Sequence, residues 1–160
     1  MLKVHPFLWF DNEAEQARDF YCAIFRNSRK GAVTRYPSAA SDDGGRVLTA
    51  EFELEGLPVT ALNAGPQYKF NEAVSLFVTT ADQAETDYYW NALTADGGEE
   101  RPCGWLRDKF GLFWQVAPEV LLRLVADPDR RKADRVMQAM FKMKRIVIAD
   151  IEAAARDEAA

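Results

Sequence analysis

The order of apolar runs and amphipathic stretches occurs twice along this chain, and the repeat restricts the folds open to it. His5-Pro6-Phe7-Leu8 has a counterpart in Ser75-Leu76-Phe77-Val78 at a shift of 70, and the same shift places Ala14-Glu15 on Ala84-Glu85 and Phe20 on Trp90. A shift of 52 places Asn63-Ala64-Gly65-Pro66 on Gln115-Val116-Ala117-Pro118. Each match is short, but they follow one another in a single order, as a duplicated unit requires.

The first copy opens with an apolar, aromatic strand, His5 to Phe10. Asp11 or Asn12 is placed to cap the helix that follows, and Glu13 and Glu15 suit its positive end. Ala14, Ala17, Phe20, Tyr21, Ile24 and Phe25 then recur at helical spacing and give one buried face. Three strands are expected next, over residues 31–36, 46–54 and 57–63. A loop rich in Ser, Ala, Asp and Gly (37–45) separates the first two, and a Glu55-Gly56 turn joins the others. The second copy has a strand at 73–79, a helix through about Leu93 that Asp82 or the preceding Thr can cap, and a break at Gly97-Gly98. Strands near 99–102, 104–107 and 112–116 complete it, the last two joined by an Asp108-Lys109-Phe110-Gly111 turn. The pattern predicts an α+β fold of two β-α-β-β-β modules, about 1–66 and 71–118, within a single domain of residues 1–160. The tail, 119–160, reads as helical. Asp127 can cap it with Pro128 at the first helical position, and Val136, Met137, Met140, Phe141 and Met143 form one apolar face.

Charge and composition remove several classes of function. Twenty Lys and Arg against 25 Asp and Glu leave a net charge of −5, which disfavours a nucleic-acid partner. No apolar run approaches the ~18 residues of a membrane span. The opening Met1-Leu2-Lys3-Val4-His5 lacks the apolar core of a signal peptide. Cys22 and Cys103 alone suggest neither a zinc site nor a disulfide framework, so a cytoplasmic protein with reduced thiols is expected. His5 is the only histidine. A His-rich metal site within one chain is therefore excluded.

Several strings resemble one family in particular: Pro6-Phe7-Leu8-Trp9-Phe10, Phe20-Tyr21, Leu62-Asn63-Ala64-Gly65-Pro66, Phe70-Asn71-Glu72-Ala73, Asp82-Gln83-Ala84-Glu85, Cys103-Gly104-Trp105, Asp108-Lys109-Phe110-Gly111 and Trp114-Gln115. The chain resembles the PhnB-like branch of the vicinal oxygen chelate superfamily, which includes glyoxalases, bleomycin-resistance proteins and extradiol dioxygenases. Asp127-Pro128-Asp129, Met140 and Lys144-Arg145-Ile146 extend the resemblance into the tail. It implies paired modules forming a curved mixed sheet around a cavity, usually in a homodimer. Proteins of this branch are often labelled demethylubiquinone methyltransferases. That activity is disfavoured here, because neither Gly44-Gly45 nor Gly97-Gly98 sits in the glycine-rich strand-to-helix turn of a common S-adenosylmethionine site.

In metal-dependent relatives four cavity-facing residues, two per module, hold a divalent ion. Carrying those positions over with the internal repeat gives His5, Asn63, Ser75 and Gln115, with Thr60 and Ala73 competing for two of them. One imidazole and no carboxylate make a tight metal site, and hence a metal cofactor, disfavoured, with His5 the only strong ligand. His5 and Gln115 are then expected to hydrogen-bond each other or the backbone. Trp105, beside Cys103 and Gly104, is the preferred pocket aromatic. Trp9 and Trp114 are candidates for an aromatic wall, but core packing is the favoured reading for Trp90 and Trp114, since alternation points Trp114 away from Gln115. Cys22 reads as core. Cys103 and Glu72 are the weak catalytic candidates, a thiol nucleophile and a base or metal ligand, with packing and solvation as their ordinary roles. The expected function is binding of a small apolar or aromatic molecule in the cavity. The alternative is a metal- or thiol-dependent enzyme. The Met-rich tail, or an exchange of modules, is expected to build a homodimer.

Overall fold

The computed structural model describes residues 3–37 and 45–156. The chain divides into two compact units, Met1–Phe70 and Asn71–Ala160. All but the ends of the 37–45 loop expected from the sequence lies outside the described residues, Gly44 included.

The first unit runs β1 (Phe7–Phe10), α1 (Ala14–Ile24), β2 (Ser28–Arg35), β3 (Val47–Leu54) and β4 (Leu57–Asn63). Its sheet order is β1-β4-β3-β2, with β1 parallel to β4 and the other pairs antiparallel. Strand alternation sends Leu8, Phe10, Ala50, Phe52, Leu54, Val59 and Ala61 to one buried face. Against it lies the apolar face of α1, with the Tyr21 and Phe52 rings 5.9 Å apart. Truncating a fully buried aromatic such as Phe52 costs about 3–5 kcal/mol. The β3–β4 turn uses Glu55 and Gly56 at φ +49° and +83°, the left-handed pair that lets two strands reverse tightly.

The second unit repeats this order with β5 (Leu76–Thr80), α2 (Gln83–Thr94), β6 (Glu99–Glu100), β7 (Trp105–Arg107) and β8 (Phe113–Pro118). Its sheet order, β5-β8-β7-β6, matches the first. Each unit thus holds one four-stranded mixed sheet, the α+β arrangement of two β-α-β-β-β modules expected from the sequence. Of the two candidate caps, Asp82 is the one that closes the start of α2, accepting the Glu85 N–H at 2.8 Å. Trp90 and Trp114 are core, 1% and 2% exposed. The buried Asp108 carboxylate accepts from the Phe110 and Leu112 N–H groups and from Trp114 Nε1, at 2.8 to 3.0 Å. It ties the last turn to the core.

Three tail helices follow, α3 (Glu119–Val125), α4 (Arg130–Met140) and α5 (Ile148–Arg156). Asp129, not Asp127, caps α4, taking the Arg131 and Lys132 N–H groups. Pro128 therefore precedes the cap and does not open the helix. Leu121, Leu124, Val136, Ile146 and Ile151 pack together with Ala117 of β8, and Met140 and Met143 lie against this cluster. Much of the apolar surface expected to be surplus is thus consumed inside the second unit; Phe141 stays exposed. The segment entering α5 is pinned to the unit through backbone. Cys103 N–H donates to Met143 O at 2.8 Å and Gly104 N–H to Lys144 O at 2.7 Å. The Gln83 amide donates to Ile146 O and accepts from Ile148 N–H at 3.1 and 2.8 Å. Gly104 must be glycine: its φ is +80°, and a Cβ would sit 2.8 Å from the Val116 carbonyl.

Candidate functional site

Each sheet has a second face, turned away from its first helix. In the first unit that face carries Phe7 of β1, Thr60 of β4 and Glu51 of β3 in one row, since Phe7 is in register with Thr60 and Thr60 with Glu51. His5, just before β1, brings its Nε2 to 3.2 Å from Thr60 Oγ1. A cavity of about 590 Å³ opens here, lined by His5, Thr60, Pro58, Glu51, Glu53 and Arg29 among others. Gly31 of β2 keeps the floor low: a Cβ there would stand 2.9 Å from that of Glu51. Arg29 pairs with Glu53 at 3.0 Å across the strands, so the wall is charged but internally balanced on that side.

The matching row in the second unit runs Phe77, Gln115, Trp105, because Phe77 is in register with Gln115 and Gln115 with Trp105. Gln115 Nε2 donates to Ser75 Oγ at 2.9 Å. Ser75 therefore stands to Gln115 as His5 stands to Thr60. Each pair joins the residue entering a parallel strand to one on its partner strand.

This equivalence decides between the candidates left open on β4. The counterpart of Gln115 is Thr60, and the offset between them is 55, not 52. Asn63, three residues on, faces the opposite way because side chains alternate along a strand. It is 2% exposed. Its Oδ1 accepts the Ala14 N–H at 2.8 Å and its Nδ2 donates to the Val47 carbonyl at 3.1 Å. Asn63 thus caps α1 from outside the helix, a task the sequence assigned to Asp11 or Asn12. Its carboxamide is spent on the fold.

The remaining sequence candidates are placed as follows. His5 bonds Thr60 and not Gln115. Trp9 is half-buried, its indole N–H on the Gly65 carbonyl at 2.8 Å and its ring edge-on to Tyr68. Ala73 and Glu72 are exposed beyond the sheet. Cys103 is half-buried, with φ +61°, in a unit that contains no histidine to take its proton. Cys22 is half-buried on α1, and burial pushes its thiol up despite a hydrogen bond with Ser28. A raised thiol is a poor nucleophile at neutral pH. Sequence reasoning missed Arg29, Glu51 and Glu53; alternation from Thr60 across its neighbours was the signal that could have found them.

The paired modules, with a parallel outer pair in each sheet and a polar residue preceding it, are matched elsewhere. A family model described as 3-demethylubiquinone-9 3-methyltransferase matches residues 2–117. The chain belongs to this PhnB-like family. A PhnB protein from Bacillus cereus is similar in structure, with 29% identity, 73% of this chain and 99% of that one covered, and a TM-score of 0.65. Protein PA1353 from Pseudomonas aeruginosa is similar at 20% identity, covering 74% and 98%, with a TM-score of 0.60. A glyoxalase/bleomycin resistance protein from Albidiferax ferrireducens aligns at 17% identity over 72% and 96%, with a TM-score of 0.48. No curated protein matches the sequence.

Two groups, one implied by the family's description and one by the resemblance drawn from the sequence, can be tested against these residues. A divalent metal needs several imidazole, thiolate or carboxylate donors. The two polar pairs supply one imidazole, two hydroxyls and one amide, and no group of three His, Cys, Asp or Glu suited to a metal occurs among the described residues. The donors do not fit. S-adenosylmethionine, in its common site, needs a glycine-rich turn after a parallel strand. The turns after β1 and β5 are Asp11-Asn12-Glu13 and Ala81-Asp82. Gly98 instead lies between α2 and an antiparallel strand, where a Cβ would meet Thr94 and the Arg107 carbonyl. That group does not fit either.

Proposed function

We propose that this PhnB-like protein binds a small organic molecule in the first unit's cavity, without a metal and without methyl transfer. The observation that carries the reading is the cavity of about 590 Å³ placed at the His5–Thr60 pair, a volume within the ordinary range for small-molecule pockets. Phe7, 59% exposed on the same face and in register with Thr60, offers a ring for stacking. The polar wall supports a planar or aromatic ligand with hydrogen-bonding edges over a purely apolar one. Thr60 can give or take a proton in a hydrogen bond, and His5 can do either according to tautomer. The reading includes a homodimer, since C2 pairing is the commonest assembly.

Native mass spectrometry of the purified full chain tests this. The expected result is a dimer carrying a small molecule that denaturation releases, and whose occupancy falls in His5→Ala and Thr60→Val. A ligand-free protein, or occupancy indifferent to both substitutions, would remove the reading.

A further inference from the structure

On the second sheet, the row Phe77, Gln115, Trp105 does not stop at β7. The Trp105 carbonyl accepts the Arg101 N–H at 2.8 Å, which extends the row to a guanidinium. With strands ~4.8 Å apart, the row spans roughly 14 Å from ring to cation. Arg107, two residues beyond Trp105, falls on the same face and is in register with Glu99. Phe77 is 48% exposed, and Trp105 and Gln115 are half-buried. Gln115 is held by Ser75.

The charges on this face do not balance. Arg101 and Arg107 share one carboxylate, their terminal nitrogens 2.8 and 2.5 Å from the two oxygens of Glu99. Glu100 belongs to the other face, where it accepts the Trp90 indole N–H, and Lys144 stands 3.9 Å from it. The Nε–H groups of both arginines are buried and meet no acceptor among the described residues. Buried donors are almost always paired, so both guanidiniums are short of an acceptor. A surplus cation and two unfilled donors beside a half-buried indole, in a chain of net charge −5, form a local exception to the surface.

We propose that this face binds a planar aromatic carboxylate. Its ring would lie over Gln115 between Phe77 and Trp105, and its anion would be taken by Arg101 and Arg107 in competition with Glu99. Guanidinium is the group best shaped for a carboxylate, which it can grip with two parallel hydrogen bonds. Aromatic side chains supply stacking at small entropic cost. Glu99 holds the two arginines in place in the absence of ligand and sets the threshold that an incoming anion must exceed. The site is argued from second-unit residues alone and does not need the His5–Thr60 cavity.

The test titrates the full chain with 2-naphthoate at neutral pH and low salt, with neutral 2-naphthol as the matched control. Naphthoate is expected to bind saturably and to change Trp105 emission, a change lost in Trp105→Phe. Removing the competitor in Glu99→Gln should tighten naphthoate binding about 3- to 10-fold, and Arg101→Gln with Arg107→Gln should weaken it about 10-fold or more. Naphthol binding should move less than about 2-fold in the arginine variants. Circular dichroism checks that each variant is folded. The inference fails if naphthoate shows no saturation up to about 5 mM, if the double arginine variant binds it as well as the parent, or if Glu99→Gln does not tighten it. It also fails if His5→Ala or Thr60→Val abolishes naphthoate binding. That last result would assign the ligand to the first-unit cavity and leave the proposed function standing.

Discussion

Nε2 of His5 lies 3.2 Å from Oγ1 of Thr60, and Gln115 Nε2 lies 2.9 Å from Ser75 Oγ in the same relation. The duplication thus conserves a contact in its geometry while changing every atom type in it. An imidazole with a hydroxyl in one unit becomes a hydroxyl with an amide in the other. Neither pair contains a carboxylate or a thiolate, so both suit orienting a ligand and are poor at holding a cation. The first prediction is that Thr60→Val lowers stability little, by about 1 kcal/mol or less, because His5 is exposed and recovers water as a partner. Urea denaturation checks the stability, and native mass spectrometry shows the ligand occupancy falling.

Asn63 should behave in the opposite way. Its amide satisfies the Ala14 N–H and the Val47 carbonyl in a buried setting. Asn63→Ala leaves both without partners and is expected to cost about 2–4 kcal/mol, from two buried groups at ~1–2 kcal/mol each. Urea denaturation alongside His5→Ala separates the two roles. Equal losses for both variants would mean that Asn63 is not the cap described.

The contrast between these two residues shows what was legible in the sequence. The element order and the Glu55-Gly56 turn depend on neighbours in the chain and are readable there, while the cap of α2 is readable only as Asp82 or the preceding Thr. Residue Asn63 was misassigned because a match of Ala-Gly-Pro with Val-Ala-Pro fixed the offset at 52. The strand register gives 55, and a three-residue error on a strand inverts the face. Likewise Asp127-Pro128-Asp129 offers two acceptors for one helix start, and only the fold shows that Asp129 is used. The Arg101–Arg107 face was readable in part, since Arg107 lies two residues from Trp105, but the shared Glu99 needed the β6–β7 register. The tail's destination was not readable either. An apolar helix face does not say whether its partner is its own unit or another copy.

Gln83 supplies a check on that destination. Its amide bonds both Ile146 and Ile148, so Gln83→Leu leaves a carbonyl and an N–H unpaired. We expect faster amide hydrogen exchange at Ile148 first, then at Cys103 and Gly104, which bond the same segment. Exchange at Val59 and Ala61 in the first unit should not change. Unchanged protection at Ile148 would mean that the tail is held by its apolar cluster alone.

Acid stability should depend on two aspartates. Burial pulls the Asp19 carboxyl up, but hydrogen bonds from Arg18 and Lys30 outweigh this and hold it below its ordinary 3.8. Lys132 and the Asp129 N–H hold Asp127 below the same value. A carboxyl lowered in the folded state stabilises fully above its unfolded value, and that contribution is lost as pH falls through the folded one. Asp19 is exposed and Asp127 half-buried at the surface, each paired with a solvent-accessible lysine, so the effect is small. Lys30→Met and Lys132→Met together should reduce the fall in Tm between about pH 5 and pH 2. A fall as steep as the parent's would remove these pairs as its source.

Metal content separates a binding protein from a metal-dependent relative at least expense. His5 is the one strong ligand within either polar pair, and Thr60, Ser75 and Gln115 offer only neutral oxygens, which cannot displace the water held by zinc or nickel. The purified chain is therefore expected to carry well under one divalent ion, by elemental analysis. Added zinc should raise Tm little, because stabilisation by a ligand grows only with the logarithm of its concentration over Kd. His5→Ala should leave the metal content where it was while lowering ligand occupancy. One ion per chain, lost in His5→Ala, would reverse the conclusion. Carboxylates would then have to complete the site, and Glu51 is the nearest in register, directly across from Thr60. Glu51→Gln would test that set by releasing the ion without disturbing the His5–Thr60 contact.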